Sequence, residues 1–287
     1  MKTIAMKIPP IGLQLYSVKN AWAKAPLETL GELARIGYQE VELFFHELDA
    51  RGRVTGLPRE TLAAELKACG LRVFASHVSE SPATDWEDLI DYSLELGSAG
   101  IVVASAFFDQ IADAYRLAEW LNTKAELCQK EGLTLYYHNH HHEFQELGGE
   151  VVMDVLVKET HPTAVQLELD TYWVRRAGRN PVEFMRQCGA KIGALHVKDL
   201  AKDANPINLL EGAAARQTPE VVFNAAKPTD FVEVGTGSMD ISGILTEALK
   251  IPSIRHLIIE QDHCRGEELA SVATSFANLK RISEALG

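Results

Sequence analysis

Short apolar runs alternate along the chain with longer segments whose apolar residues recur three and four positions apart, a pattern that predicts βαβ units around a parallel sheet. The runs that read as strands are 11–16, 40–44, 73–77, 100–104, 133–138, 165–170, 193–198 and 256–260. Eight is the strand number of a closed (β/α)8 TIM barrel. Helix-like segments at 26–36, 58–69, 86–96, 111–129, 181–187 and 242–248 each carry one apolar face suited to covering the outside of such a sheet. Pro58 and Pro181 fit first helical turns, whereas Gly37, Gly70, Gly97 and Gly132 follow periodic runs, where a left-handed cap favours glycine. No fixed-period repeat, low-complexity tract or Gly/Ser linker interrupts this cadence, so one barrel domain over 1–287 is expected. The irregular stretch is about 201–230, a long loop insertion after the seventh strand of the kind that forms lids or substrate loops. An open doubly wound sheet is disfavoured, because Tyr16-Ser17-Val18-Lys19-Asn20 after the first strand lacks a glycine-rich phosphate loop.

Composition narrows the function classes. At 287 residues with 46% hydrophobic and 24% charged residues, the chain has the make-up of a folded globular protein. Its 28 Lys and Arg against 40 Asp and Glu give a formal net charge of −12, which disfavours nucleic acid and anionic lipid as partners and leaves small neutral or cation-assisted ligands. Cys69, Cys128, Cys188 and Cys264 form no C-x-x-C pair and read as plain thiols. The first ten residues show no apolar signal-peptide core and no later run reaches a membrane-spanning length, so a cytoplasmic protein without a membrane partner is expected.

In a βα barrel the reactive groups sit where strands end, and five of the predicted strands close on a metal ligand or base: His77, His138, Asp170, His196 and Glu260. Buried charges at the rim of an apolar barrel are costly without a partner, and a shared divalent cation would offset that cost. Two carboxylates with imidazoles and no thiolate suit Mn²⁺ first, with Co²⁺, Zn²⁺, Fe²⁺ or Mg²⁺ as alternatives. Taken singly, each residue also has a plain structural reading as a helix cap or a hydrogen-bonded core histidine. The run His138-Asn139-His140-His141-His142-Glu143 adds His140, on the same side of an extended strand as His138, and Glu143 in the loop beyond. Lys198 follows His196 by two residues and faces the same way, and Tyr172 and Trp173 follow Asp170. Glu42, His46 and His77 lie near the ends of the second and third strands.

These residues carry a resemblance. Gly12-Leu13-Gln14-Leu15-Tyr16-Ser17, Gly37-Tyr38-Gln39-Glu40-Val41-Glu42-Leu43, the Tyr-His-Asn-His-x-x-Glu-Phe pattern from Tyr137 to Phe144, Leu169-Asp170-Thr171-Tyr172-Trp173, Leu195-His196-Val197-Lys198-Asp199, Val234-Gly235-Thr236-Gly237 with Asp240, and Ile259-Glu260 resemble the sugar phosphate isomerase/epimerase family with its xylose isomerase-like TIM barrel. The resemblance implies a divalent metal held by a Glu, an Asp, a His and a second Glu. Asp170, His196 and Glu260 match the last three, while His138 stands at the first position with Glu143 five residues on. The resemblance thus implies a metal set of His138, Asp170, His196 and Glu260, with Glu143 as the alternative first ligand, Glu143, Glu260 and Lys198 as catalytic groups and His140, His77, Trp173 and His46 as substrate contacts. The resemblance further implies abstraction of an α-proton from a sugar or keto-sugar through an enediolate. Isomerisation or epimerisation follows if the proton returns elsewhere, and dehydration, as in the inosose dehydratase-like branch, if a β-hydroxyl leaves. A phosphodiesterase like the endonuclease branch is disfavoured by the negative charge, and a non-catalytic sugar-binding barrel remains the alternative in which the departure at His138 matters most. An unphosphorylated substrate and a homodimer complete the expectations.

Overall fold

The computed structural model describes residues 8–44, 57–79, 84–212 and 217–286. Eight parallel strands close into a barrel: β1 (Ile11–Gln14), β2 (Glu40–Phe44), β3 (Arg72–Val78), β4 (Gly100–Val103), β5 (Thr134–His138), β6 (Val165–Asp170), β7 (Ile192–Val197) and β8 (His256–Ile259). Each pairs with its neighbour in the chain, and β1 closes on β8 through Ile11↔Leu257. The first strand stops at Gln14, two residues short of the predicted end, because the Gln14 side chain accepts a hydrogen bond from the Tyr16 N–H and starts a 3-10 turn. Around the barrel lie α1 (Pro26–Ile36), α2 (Arg59–Cys69), α3 (Trp86–Glu95), α4 (Ile111–Lys130), α5 (Val152–Glu159), α6 (Pro181–Cys188), α7 (Ile241–Ala248) and α8 (Glu268–Glu284). Gly37, Gly70, Gly97 and Gly132 all take positive φ as predicted.

Period-two alternation divides each strand between two environments. Outward side chains such as Leu43, Ile101, Leu167 and Ile259 pack beneath the helices against Leu33, Leu121, Met185 and Leu279. Inward ones form layers. At the N-terminal end, Glu40 contacts His256 Nδ1 at 2.8 Å and Arg72 at 3.1 Å. Above it an apolar plug of Phe74, Ala75, Val102, Tyr136, Ala194 and Ile258 fills the barrel. The Tyr136 ring is admitted by glycines on β4 and β7, since a Cβ at Gly100 or Gly193 would stand 2.7 Å from it. Over this plug the pairings Gln14↔Glu42, Phe44↔His77, His138↔Glu168 and Asp170↔His196 bring polar strand ends to one level. The plug is a hydrophobic floor, and the chemistry rests on it.

The stretch predicted as a loop insertion has structure of its own. Asp199–Leu200 pairs antiparallel with Phe231–Val232, and a helix, Pro219–Phe223, lies between them, capped by Thr218. Arg176 fastens its base: the guanidinium is fully buried and donates to Asp230 Oδ2 at 2.8 Å and to the Tyr172 hydroxyl at 3.1 Å. The Asp199 carboxylate accepts four backbone N–H groups, from Leu200, Gly235, Gly237 and Met239. Gly237 is required there, because a Cβ would lie 2.3 Å from both Asp199 Oδ1 and the Leu200 carbonyl oxygen.

Candidate functional site

His138, Asp170, His196 and Glu260 converge from β5, β6, β7 and the end of β8, with one donor atom of each within 4.8 Å of the others. Local bonds prepare these atoms. His138 Nδ1 lies 3.2 Å from the Ala104 carbonyl oxygen, which can only accept, so Nδ1 carries the proton and Nε2 keeps its lone pair. That Nε2 is buried, makes no hydrogen bond, and faces Asp170 Oδ2 at 3.4 Å. Asp170 divides its oxygens: Oδ1 accepts from the Tyr172 and Trp173 N–H groups and caps the helix Thr171–Arg176, while Oδ2 is buried without a hydrogen bond and points into the set. The helix-cap and ligand readings of this residue therefore hold for different atoms. Asn139 fixes the spacing of the two strands by accepting from the Asp170 N–H at 3.0 Å.

His196 joins this set to a second layer. Its Nδ1 lies 2.8 Å from Glu260 Oε2, and its Nε2 lies 2.7 Å from Glu42 Oε2 and 3.1 Å from Glu168 Oε1. His77 stacks on the His196 ring at 5.3 Å and 9°, and its Nε2 contacts Glu168 at 2.8 Å and Glu42 at 3.1 Å. Gln14 donates to Glu42 Oε2 at 2.9 Å. The ammonium of Lys198, itself buried, lies 2.7 Å from Glu260, 2.7 Å from Asp262 and 3.2 Å from Asp170.

Burial and charge compete at Glu168, Glu260, His196 and Asp262. Burial works against the ionised carboxylates, yet His196 and His77 hold Glu168 well below the usual range, and Lys198 and His196 do so for Glu260. Burial also works against a charged His196, whose pKa is nevertheless raised by Glu168, Glu42 and Glu260. At Asp262 burial prevails over the Lys198 charge and raises the carboxyl. Even with His77, His196 and Lys198 all positive, five carboxylates (Glu42, Glu168, Asp170, Glu260, Asp262) leave a deficit of two charges.

This donor set fits a divalent cation. Bonds of about 2.0–2.2 Å place neighbouring ligand atoms roughly 3 Å or slightly more apart, which is the spacing of His138 Nε2 and Asp170 Oδ2. A nitrogen lone pair and a carboxylate oxygen, both buried and without a hydrogen bond, are what such an ion satisfies.

Not every expected residue reaches this place. The structure does not bring Glu143 to the set: the 3-10 turn His142–Phe144 folds it under the chain, where Oε1 accepts from the Tyr137 hydroxyl and Oε2 from the His140 N–H. Trp173 is 4% exposed and packs behind His140, with Lys198 Nζ 5.2 Å from its ring centre, so it backs the site instead of walling it. His140 and His77 both line the cavity, and burial holds the His140 ring well below its ordinary pKa and therefore neutral. His46 lies outside the described residues. The residues missed are Glu168, two positions before Asp170 on the same face of β6, Asp262, two positions after Glu260 and past the end of β8, and Gln14 on β1.

The site opens into a cavity of about 700 Å³ whose inner end is formed by Gln14, His77, His138, Lys198, Glu260 and Asp262. Among the described residues no helix is long and apolar enough to cross a membrane.

The xylose isomerase-like TIM barrel family model matches residues 30–281. An inosose dehydratase of Geobacillus kaustophilus is 24% identical over 202 residues, which are 61% of this chain and 62% of that protein, so this chain spans less than two thirds of that relative's length. A sugar phosphate isomerase/epimerase from Parabacteroides distasonis superposes with a TM-score of 0.77 at 23% identity, covering 96% of this chain and 95% of that one. The IOLI protein, in a crystal structure with a zinc atom, superposes with a TM-score of 0.70 at 14% identity over 97% of this chain and 99% of that one. At these identities the two structures share the fold.

Proposed function

The chain belongs to the xylose isomerase-like TIM barrel family, and from that premise we propose that it is a divalent-metal-dependent enzyme that isomerises or epimerises a sugar or keto-sugar. The observation that carries this reading is the convergence of His138 Nε2, Asp170 Oδ2, His196 Nδ1 and a Glu260 oxygen, two of them buried and without hydrogen bonds. A divalent cation held by these four residues supplies Lewis acidity that acidifies the C–H bond beside a bound carbonyl. The identity of the ion, Mn²⁺ before Co²⁺, Zn²⁺ or Mg²⁺, is part of the proposal and rests on the two carboxylate ligands.

The residues divide the remaining work. Asp262 faces the cavity beside Glu260 but is outside the four-donor set, and its raised pKa suits a carboxylate that takes up the α-proton. Lys198 stays protonated and orients both Asp262 and Glu260. Glu42 and Glu168 take the Nε2–H of His196, which leaves Nδ1 as its ligand atom. Return of the proton from Asp262 to the neighbouring carbon on the same face completes isomerisation, whereas epimerisation takes its proton from a donor on the opposite face of the enediolate.

A second reading, dehydration, is favoured by one observation. The Lys198 ammonium touches Glu260, Asp262 and Asp170, so a cationic hydrogen-bond donor stands beside the base, and the proton that Asp262 takes can pass to a β-hydroxyl leaving there as water. The likeness to the inosose dehydratase supports the same reading. Purified protein loaded with Mn²⁺ and incubated with keto-sugars and inososes in deuterated water tests both. Deuterium at the α-carbon without loss of mass supports isomerase or epimerase chemistry, and loss of water supports the dehydratase. Asp262→Asn abolishes either signal while the metal stays bound, and a protein that binds no cation under any loading overturns the reading.

A further inference from the structure

We propose that the outer half of the cavity is a subsite for a second ring, so that the substrate is a keto-glycoside, with its carbonyl on the ring that lies on the polar floor and its neutral, flat-faced aglycone between aromatic walls. This inference rests on the reading of the inner half as a sugar site.

Size is the first argument. A hexose has about a dozen non-hydrogen atoms, and at no more than the roughly 30 Å³ of a liquid water apiece it fills at most about half of a 700 Å³ cavity. The second argument is chemical asymmetry. The inner end is ionic, with His77, His138, Lys198 and Glu260, whereas the outer lining includes Tyr16, Phe44, Phe107 and Phe223. These four form two edge-to-face pairs: Tyr16 with Phe44 at 5.6 Å, from the ends of β1 and β2, and Phe107 with Phe223 at 5.7 Å. Phe107 follows β4, whereas Phe223 ends the helix Pro219–Phe223 in the excursion after β7, so the second pair reaches across the mouth of the barrel. Phe223 also approaches the His140 ring at 5.8 Å.

Phe223 is 58% exposed, the most exposed large apolar side chain among the described residues, and it stands at the cavity. An aromatic ring held there by another aromatic ring has an open face suited to the C–H face of a sugar or to an aryl group. Among the described lining residues there is no arginine, and the one lysine, Lys198, is held by three carboxylates, while the Lys19 ammonium beside this end is occupied by the Tyr16 ring at 3.8 Å and the Asp262 carbonyl oxygen at 2.7 Å, which favours a neutral ring there.

The test is calorimetric binding of matched methyl and phenyl glycosides of glucose and galactose, both anomers, with maltose and cellobiose, in the presence and absence of Mn²⁺. At least one phenyl glycoside or disaccharide is expected to bind about tenfold or more tighter than its methyl counterpart, with Phe223→Ala and Phe107→Ala each removing most of that preference and leaving the methyl glycoside within about twofold. Preference for the disaccharides assigns the outer ring as a sugar, and preference for phenyl glycosides alone assigns it as an aryl group. Equal affinities throughout, no binding of any probe, or a preference that survives both substitutions overturns the subsite. Cation binding that disappears in Asp170→Asn is measured in parallel. Its presence without ring preference removes the subsite alone, and ring preference in a protein without cation affinity removes the metal reading alone.

Discussion

Lys198 Nζ lies 2.7 Å from Glu260 Oε2 and 3.2 Å from Asp170 Oδ2, so two of the four converging donors already face a fixed positive charge. An ammonium this close repels a divalent cation in the same set while holding the carboxylates in place. Lys198→Met should therefore raise Mn²⁺ affinity by about tenfold or more, a change of roughly 1.4 kcal/mol, and lower turnover by at least about a hundredfold. Metal titration followed by steady-state assay checks both, and unchanged affinity would show that Lys198 does not sense the cation.

Asp170→Asn separates the two roles of that side chain. Asparagine caps a helix about as well as aspartate, so the hydrogen bonds to the Tyr172 and Trp173 N–H groups persist and stability changes by less than about 1 kcal/mol. The negative charge at Oδ2 disappears, and cation affinity should fall by about a hundredfold or more. Thermal denaturation of the metal-free protein beside elemental analysis tells cap from ligand.

Asp230→Ala strips the partner from a guanidinium with no solvent exposure. Breaking a buried pair from one side costs about 3–5 kcal/mol, and Arg176 also supports Tyr172, so the excursion should loosen together with the helix Thr171–Arg176. Urea denaturation gives the energy, and hydrogen exchange at residues 199–201 and 230–232 gives the place. A loss below about 1 kcal/mol would contradict the burial of this pair.

The metal-free protein should lose stability in alkali through His77. Burial lowers the pKa of this ring, but the Glu42 and Glu168 carboxylates outweigh it and raise it to about 10. A histidine raised on folding contributes stability that is complete below its unfolded value of about 6.5 and is lost as pH rises through its folded value. Between pH 6.5 and about 10 the unfolding free energy should decline, and His77→Gln should make that decline shallower. Denaturant titrations of chelator-treated protein across this range measure the slope.

Much of the architecture was legible because barrel strands are short apolar runs and their last residues stand out chemically. His138, Asp170, His196 and Glu260 each close such a run, and the strand registers bring them together. Glu168 carried the same signal, since a residue two places from an inward-facing ligand within a strand also faces inward, whereas Asp262 lies past the end of β8, where strand periodicity gives no direction and an acidic residue is easily assigned to solvent. Glu143 was misleading for the opposite reason. Its distance from His138 along the chain is compatible with a pocket position, and only the 3-10 turn, with the Tyr137 hydroxyl and His140 N–H as its partners, turns the carboxylate inward under the loop. The order within 201–230 depends on Arg176 meeting Asp230, 54 positions away, a pairing that no local pattern announces.

The line from Gln14 through Glu42 to His196 has an evolutionary reading. None of the three need touch a substrate for a change in the first two to alter how strongly the imidazole donates through its other nitrogen. Barrels that keep the same four converging residues can thus diverge in reactivity through a substitution at the position of Glu42, one layer below the cavity wall that Gln14 helps to form.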